Sequence, residues 1–134
     1  MISQKLKNIF YISIPFFIAH GMEEIFNGFY NVDSIAKLIF GFLNGMSVSQ
    51  ATFIVFQFML WLVLIVFAFL ISSEKWRLRM MFLPGIIYIV ELHHIWTAVK
   101  IWGYYPGLVT ALPLVILGFL FWKELIKNYK QEKY

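Results

Sequence analysis

The 134 residues contain no cysteine. That excludes disulfides and thiolate metal sites and leaves the redox compartment unmarked. Charge is also scarce: Asp, Glu, Lys and Arg make up 13% of the chain, against about 25% in an average soluble domain. Internal repeats and low-complexity tracts are missing. What fills the chain instead is apolar: 61% hydrophobic side chains and a mean hydropathy of +0.77. A soluble globular domain is excluded, and an all-α integral membrane protein of one domain is predicted. The formal net charge of +4 does not imply a nucleic-acid partner, because the Lys and Arg residues flank hydrophobic runs, where membrane topology accounts for them.

A spanning helix needs roughly 20 mostly apolar residues. Four stretches qualify, at about residues 9–30, 51–72, 80–102 and 105–122. They predict a four-transmembrane-helix bundle. Residues 31–50 form a connector in which Ile35, Leu38, Ile39 and Phe42 recur at helical spacing around Lys37, as in a short helix lying in the interface. Ser72 to Arg79 reads as a tight polar loop, and residues 123–134 as a charged tail. Lys5, Lys7, Lys75, Arg77, Arg79, Lys123, Lys127, Lys130 and Lys133 fall on one side of this arrangement; Lys37 and Lys100 fall on the other. The excess of positive charge sets both termini in the cytoplasm of a multi-pass cell-membrane protein. A cleaved signal peptide fits less well, since bulky residues surround Ala19-His20-Gly21 and the apolar pattern continues past Glu24.

His20-Gly21-Met22-Glu23-Glu24 interrupts the first span with three ionisable groups on one helix face. In the third span Glu91 and His94 form an i, i+3 pair, whereas His93 points about 160° away from Glu91 at 100° per residue. With ~1.5 Å of rise per residue and inner edges at Asn8 and Arg79, the two sets share a layer a little outside the midplane. A charged residue at a helix centre costs about +2.5 to +3.5 kcal/mol and each Leu, Ile or Phe returns about −0.3 to −0.6 kcal/mol. The ten Ile and Phe residues of the first span therefore barely offset two glutamates, so Glu23 and Glu24 need sheltering partners or neutralising protons. Glu-x-x-His pairs facing further glutamates are how carboxylate bundles hold two irons or manganeses. His20, Glu23, Glu24, Glu91 and His94 are the expected metal ligands, suited to Fe, Mn or Zn. Glu24 is the candidate catalytic base or bridging carboxylate.

The order and spacing of these landmarks resemble the HXXEE-motif family of small bacterial integral membrane proteins. The first landmark is His20-Gly21-Met22-Glu23-Glu24. The second, a histidine followed by a Pro-Gly turn, is His94 with Tyr105-Pro106-Gly107-Leu108-Val109-Thr110-Ala111. The turn spacing selects His94 over His93. The resemblance implies a multi-span fold and a marked residue set rather than a reaction.

Three functions fit the residues. A membrane metalloprotein, as an enzyme on a lipid or other apolar substrate, uses the layer as a metal site. A proton- or ion-coupled carrier uses it as an ion site and needs a homo-oligomer, because four helices are few for an independent pathway. A structural or assembly protein uses it as a hydrogen-bonded seam between helices. The lipid bilayer is a partner in all three.

Overall fold

The computed structural model describes residues 1–71 and 73–132. Residue 72, where the second span was expected to end, and the last two residues of the expected tail lie outside them. The described residues form helices without strands, and four helical stretches are long and apolar enough to cross a membrane.

The first helix, α1 (Gln4–Phe26), begins five residues earlier than the hydrophobic run predicts. Ser3 is the reason. Its hydroxyl accepts from the Leu6 N–H, satisfying one of the free donors of the first turn. Its own N–H donates to the Asn128 side chain at 2.6 Å. The helix also ends earlier, at Asn27, followed by Gly28 in the left-handed region. The connector then folds into α2 (Phe29–Val32), α3 (Ser34–Phe40) and one 3₁₀ turn, Gly41–Leu43. Asp33 caps α3 by accepting from the Ala36 N–H at 2.7 Å.

Helix α4 (Val48–Ile71) departs from the expected bundle. None of its residues is buried, and it packs against α5 (Glu74–Met80) at its end. Its apolar residues cover the whole circumference, so it presents no distinct face for a neighbouring helix. The stretch Ser72 to Arg79, expected as a loop, is largely the helix α5. It opens a long interrupted span, Glu74–Ile101. After a break at Met81 comes α6 (Phe82–Val90), and after a break at Glu91 comes α7 (Leu92–Ile101).

The last helix, α8 (Leu108–Glu132), is the centre of the packing: α1, α5, α6 and α7 all lie against it. It does not stop at Trp122. The residues read as a charged tail continue the helix, and Glu124, Leu125 and Asn128 are buried there. The α1 end explains this. Lys5 pairs with Glu124 at 3.5 Å, and Ser3 and Asn128 exchange hydrogen bonds. The two ends of the chain thus share one end of the bundle. Leu6, Ile9, Leu78, Tyr88, Leu114, Phe121 and Leu125 form the core. Gly118 lets α6 approach α8: a Cβ there would stand 2.7 Å from the Tyr88 Cβ. The architecture is therefore a three-part bundle around α8, with α4 beside it.

Candidate metal centre

The functional layer lies at the end of the bundle opposite the termini. His20 and Glu24 are six and two residues from the last residue of α1, roughly 9 and 3 Å at 1.5 Å per residue. Because Ser3 starts α1 early and Asn27 stops it early, the layer sits near a helix end, not near the middle.

Two helices and the break before the second supply the site. His20 comes from α1, Glu91 from the break between α6 and α7, and His94 from the first turn of α7. These three are buried, and one donor atom from each lies within 4.8 Å of the others. The group can therefore hold a metal ion. The His20 Nε2 is 2.6 Å from Glu91 Oε2 and the His94 Nε2 is 3.7 Å from the same oxygen. Glu24 Oε1 adds a fourth donor, 3.3 Å from His94 Nε2 and 3.7 Å from His20 Nε2. Its side chain is 25% exposed, against 5% for each histidine and 9% for Glu91, so Glu24 marks the open side. The two imidazoles meet edge to face at 4.6 Å.

The proton positions follow from the outer ring of contacts. His94 Nδ1 lies 2.7 Å from the Pro106 carbonyl, which can only accept. His94 therefore carries its proton on Nδ1 and turns a bare Nε2 inward. His20 Nδ1 lies 2.8 Å from the Thr110 hydroxyl. That hydroxyl donates to Glu23 Oε2 at 2.5 Å, so it accepts from His20, and the neutral ring then turns its Nε2 lone pair inward. Glu91 Oε2 is buried with no hydrogen-bond partner among the described residues. The 2.6 Å approach of His20 Nε2 is an ion pair when the ring is protonated and a pair of facing lone-pair donors when it is neutral.

Glu23 is placed differently from its neighbour. Its carboxylate turns to the start of α8 and accepts from the Val109 N–H at 3.2 Å, the Thr110 N–H at 2.9 Å, the Thr110 hydroxyl and the Tyr104 hydroxyl at 2.8 Å. A carboxylate at a helix N-terminus satisfies free N–H groups and meets the positive end of the helix dipole. Glu23 therefore lies outside the group of converging donors. It acts on the site through Thr110, which orients His20. Burial and then the Glu23 carboxylate push the Tyr104 hydroxyl above its ordinary pKa.

The Pro-Gly turn is part of the site. Gly107 has φ +89°, and a Cβ there would stand 2.7 Å from His20 Cε1 and 2.7 Å from His94 Nδ1. Only glycine allows this backbone to lie on both imidazoles. Pro106 and Gly107 read from the sequence as turn residues; the signal for more was their place in the second landmark.

His93 joins a separate cluster. Its Nε2 is 2.8 Å from Asp33 Oδ2, which also accepts from the Tyr105 hydroxyl at 2.6 Å. Burial acts to raise the Asp33 pKa, but the Tyr105 hydroxyl, the Ala36 N–H and His93 outweigh it and hold Asp33 below the ordinary aspartate value. Tyr105 is pushed up by burial and by that same carboxylate. Asp33 ties the connector to residues adjacent to His94 and Pro106. Sequence reading passed over it, although it is the only aspartate in the chain. Tyr88, one turn before Glu91, is a packing residue: its ring lies against Phe17 and Phe121 at 4.9 and 5.0 Å. Asn27 bonds the Glu23 carbonyl of its own helix.

Comparison with known proteins adds one finding. A family described as proteins of unknown function with an HXXEE motif matches residues 11–122. No curated protein and no solved structure matches the chain.

Proposed function

The chain belongs to the HXXEE-motif family of proteins of unknown function, and from that premise we propose that it is a membrane metalloprotein whose intramembrane His/Glu centre acts on a lipid or other apolar substrate. One observation carries the reading. Two imidazole nitrogens and two carboxylate oxygens converge, and both rings commit Nδ1–H outward, so in the neutral histidines both Nε2 lone pairs face the carboxylates. Converging lone pairs repel; a cation between them turns the repulsion into coordination. The outward bonds to the Pro106 carbonyl and Thr110 are the supports that metal-binding histidines use to fix the ring and the tautomer.

His20, Glu91 and His94 would be the ligands, with Glu24 as a fourth donor on the open side. Two nitrogens and two oxygens suit Zn, Fe or Mn. Four donors suffice for one ion, and with Glu23 committed to α8 the set falls short of a two-metal site. When bound, a divalent ion supplies Lewis acidity toward a carbonyl or phosphoryl oxygen. Glu24 is the carboxylate an incoming group meets first, and it is placed to take a proton at Oε1. Gly107 and Pro106 close the loop side. Tyr88, Leu114, Phe121 and Leu125 fill the bundle toward the termini. That apolar packing favours a metal centre over a proton or ion path through the helices. The lysine and arginine distribution supports cytoplasmic termini.

Cobalt(II) titration of the full chain in detergent tests the reading. Wild type is expected to develop visible ligand-field bands at one equivalent, absent from His94→Ala and retained in His93→Ala. Equal spectra for those two variants would remove His94 from the centre. The carrier reading instead requires flux driven by a pH gradient in proteoliposomes.

A further inference from the structure

The connector holds a second feature that the metal centre does not use. Between α2, α3 and the 3₁₀ turn lies a cavity of about 420 Å³. Tyr30, Asn31, Lys37 and Asn44 bring it one phenol, two carboxamides and one ammonium, and Phe40 and Leu43 give it apolar walls. No carboxylate lines it. The nearest acid in sequence, Asp33, is fully engaged by the Ala36 N–H, His93 and Tyr105. Among the described residues, the Lys37 ammonium has no ion-pair partner, and the Tyr30, Asn31 and Asn44 side chains have no hydrogen-bond partner within the protein.

A concave site with four uncommitted donor side chains, one of them an unopposed positive charge, calls for an anion with several acceptor oxygens. The same short elements expose Ile35, Leu38, Ile39 and Phe42. Such residues set a helix into the boundary between headgroups and acyl chains, so the anion reaches the cavity from the bilayer. We propose that this cavity binds the phosphate-bearing headgroup of a phospholipid, with Lys37 and the two carboxamides on the phosphate oxygens and Phe40 and Leu43 along the glycerol and upper acyl carbons.

The proposal does not depend on the metal reading, since no lining residue belongs to the converging His/Glu group. The two features are nevertheless joined. Ala36, in the cavity wall, donates to Asp33, and Asp33 holds His93, the neighbour of His94. Those two contacts link the cavity wall to the residue next to His94.

The test uses the full chain in phosphatidylcholine nanodiscs with phosphatidylglycerol as the minor lipid, and native mass spectrometry to count lipids retained on release. Wild type is expected to retain one phosphatidylglycerol in preference to phosphatidylcholine. Lys37→Gln should weaken that preference by about tenfold, the scale of one charge-assisted hydrogen bond, and Asn44→Ala should weaken it less. Both changes are at exposed positions, and their cobalt titrations should match wild type. Lys127→Gln, in the separate lysine-lined groove on α8, should leave the preference intact. Retention unchanged in Lys37→Gln, or lost only with Lys127→Gln, overturns the proposal. So does displacement of the lipid by equimolar glycerol 3-phosphate or inorganic phosphate, which would assign the cavity to a soluble phosphate.

Discussion

Replacing Gly107 by alanine tests the geometry of the centre without touching a ligand. The added methyl group would stand 2.7 Å from His20 Cε1, 2.7 Å from His94 Nδ1 and 2.8 Å from His94 Cε1, where ordinary contact begins at 3.4 Å. A shift of about 0.7 Å must therefore be found between two imidazoles already packed edge to face. The backbone cannot easily relax, because the Pro106 carbonyl is tied to His94 and the Thr110 hydroxyl to His20. An alanine with positive φ adds about 1–2 kcal/mol and overpacking adds about 1–3 kcal/mol, so the fold should lose about 2–5 kcal/mol. Cobalt affinity should fall about 10- to 100-fold, the range seen when ligand supports are disturbed. Unfolding by sodium dodecyl sulfate in mixed micelles reads the first quantity and cobalt titration the second. Gly103→Ala in the same turn is the control, because its Cβ would meet nothing closer than 3.7 Å. A Gly107→Ala protein with the stability and cobalt affinity of the control would refute the placement of the turn against both rings.

The two glutamates of the motif should separate by role. Glu23→Gln turns an amide N–H₂ toward donors at the start of α8, which should cost about 1–3 kcal/mol in the same unfolding assay. It should still bind cobalt, about tenfold more weakly, through the loosened Thr110–His20 contact. Glu91→Gln should abolish cobalt binding at comparable stability; the reverse ranking of the two variants would contradict the assignment. Asp33 sets an acid limit. Its folded pKa is depressed, so its contribution is fully present above the unfolded value of about 3.9 and is lost as pH falls through the lower folded value. Unfolding midpoints of wild type should drop across that acid window, whereas Asp33→Asn should start lower and change less; parallel curves would remove Asp33 as the cause.

Much of the centre was legible in the sequence because helical spacing needs no partner to be read. His20 with Glu24, and Glu91 with His94, fall on single faces, and all four meet. Glu23 was not legible: its partners, Val109 and Thr110, are more than 80 residues away, and spacing within α1 cannot say which way a carboxylate between two faces turns. The ends of α1 and α8 were not legible, because hydrophobicity marks where a helix enters lipid, not where it starts. Ser3 and Asn128 extend α1 and α8 beyond their apolar runs. The same limit applies to α4. Its composition predicts a spanning helix, and a helix apolar on every side carries no information about what it packs against. Asp33 escaped notice because an acid in a polar connector is unremarkable until His93 and Tyr105 close on it. The HXXEE motif now resolves into parts: the histidine and the second glutamate face the centre, and the first glutamate fastens α1 to the start of α8.

The most direct test is the metal content of the protein itself. Full-length chain purified in detergent without chelator, beside a Glu91→Ala, His94→Ala double variant of matched helicity, is analysed by inductively coupled plasma mass spectrometry. One equivalent of Zn, Fe or Mn per chain in wild type, and none in the double variant, is the predicted result. Wild type free of metal after growth and titration with each of the three ions, or equal content in both proteins, would contradict a metal centre.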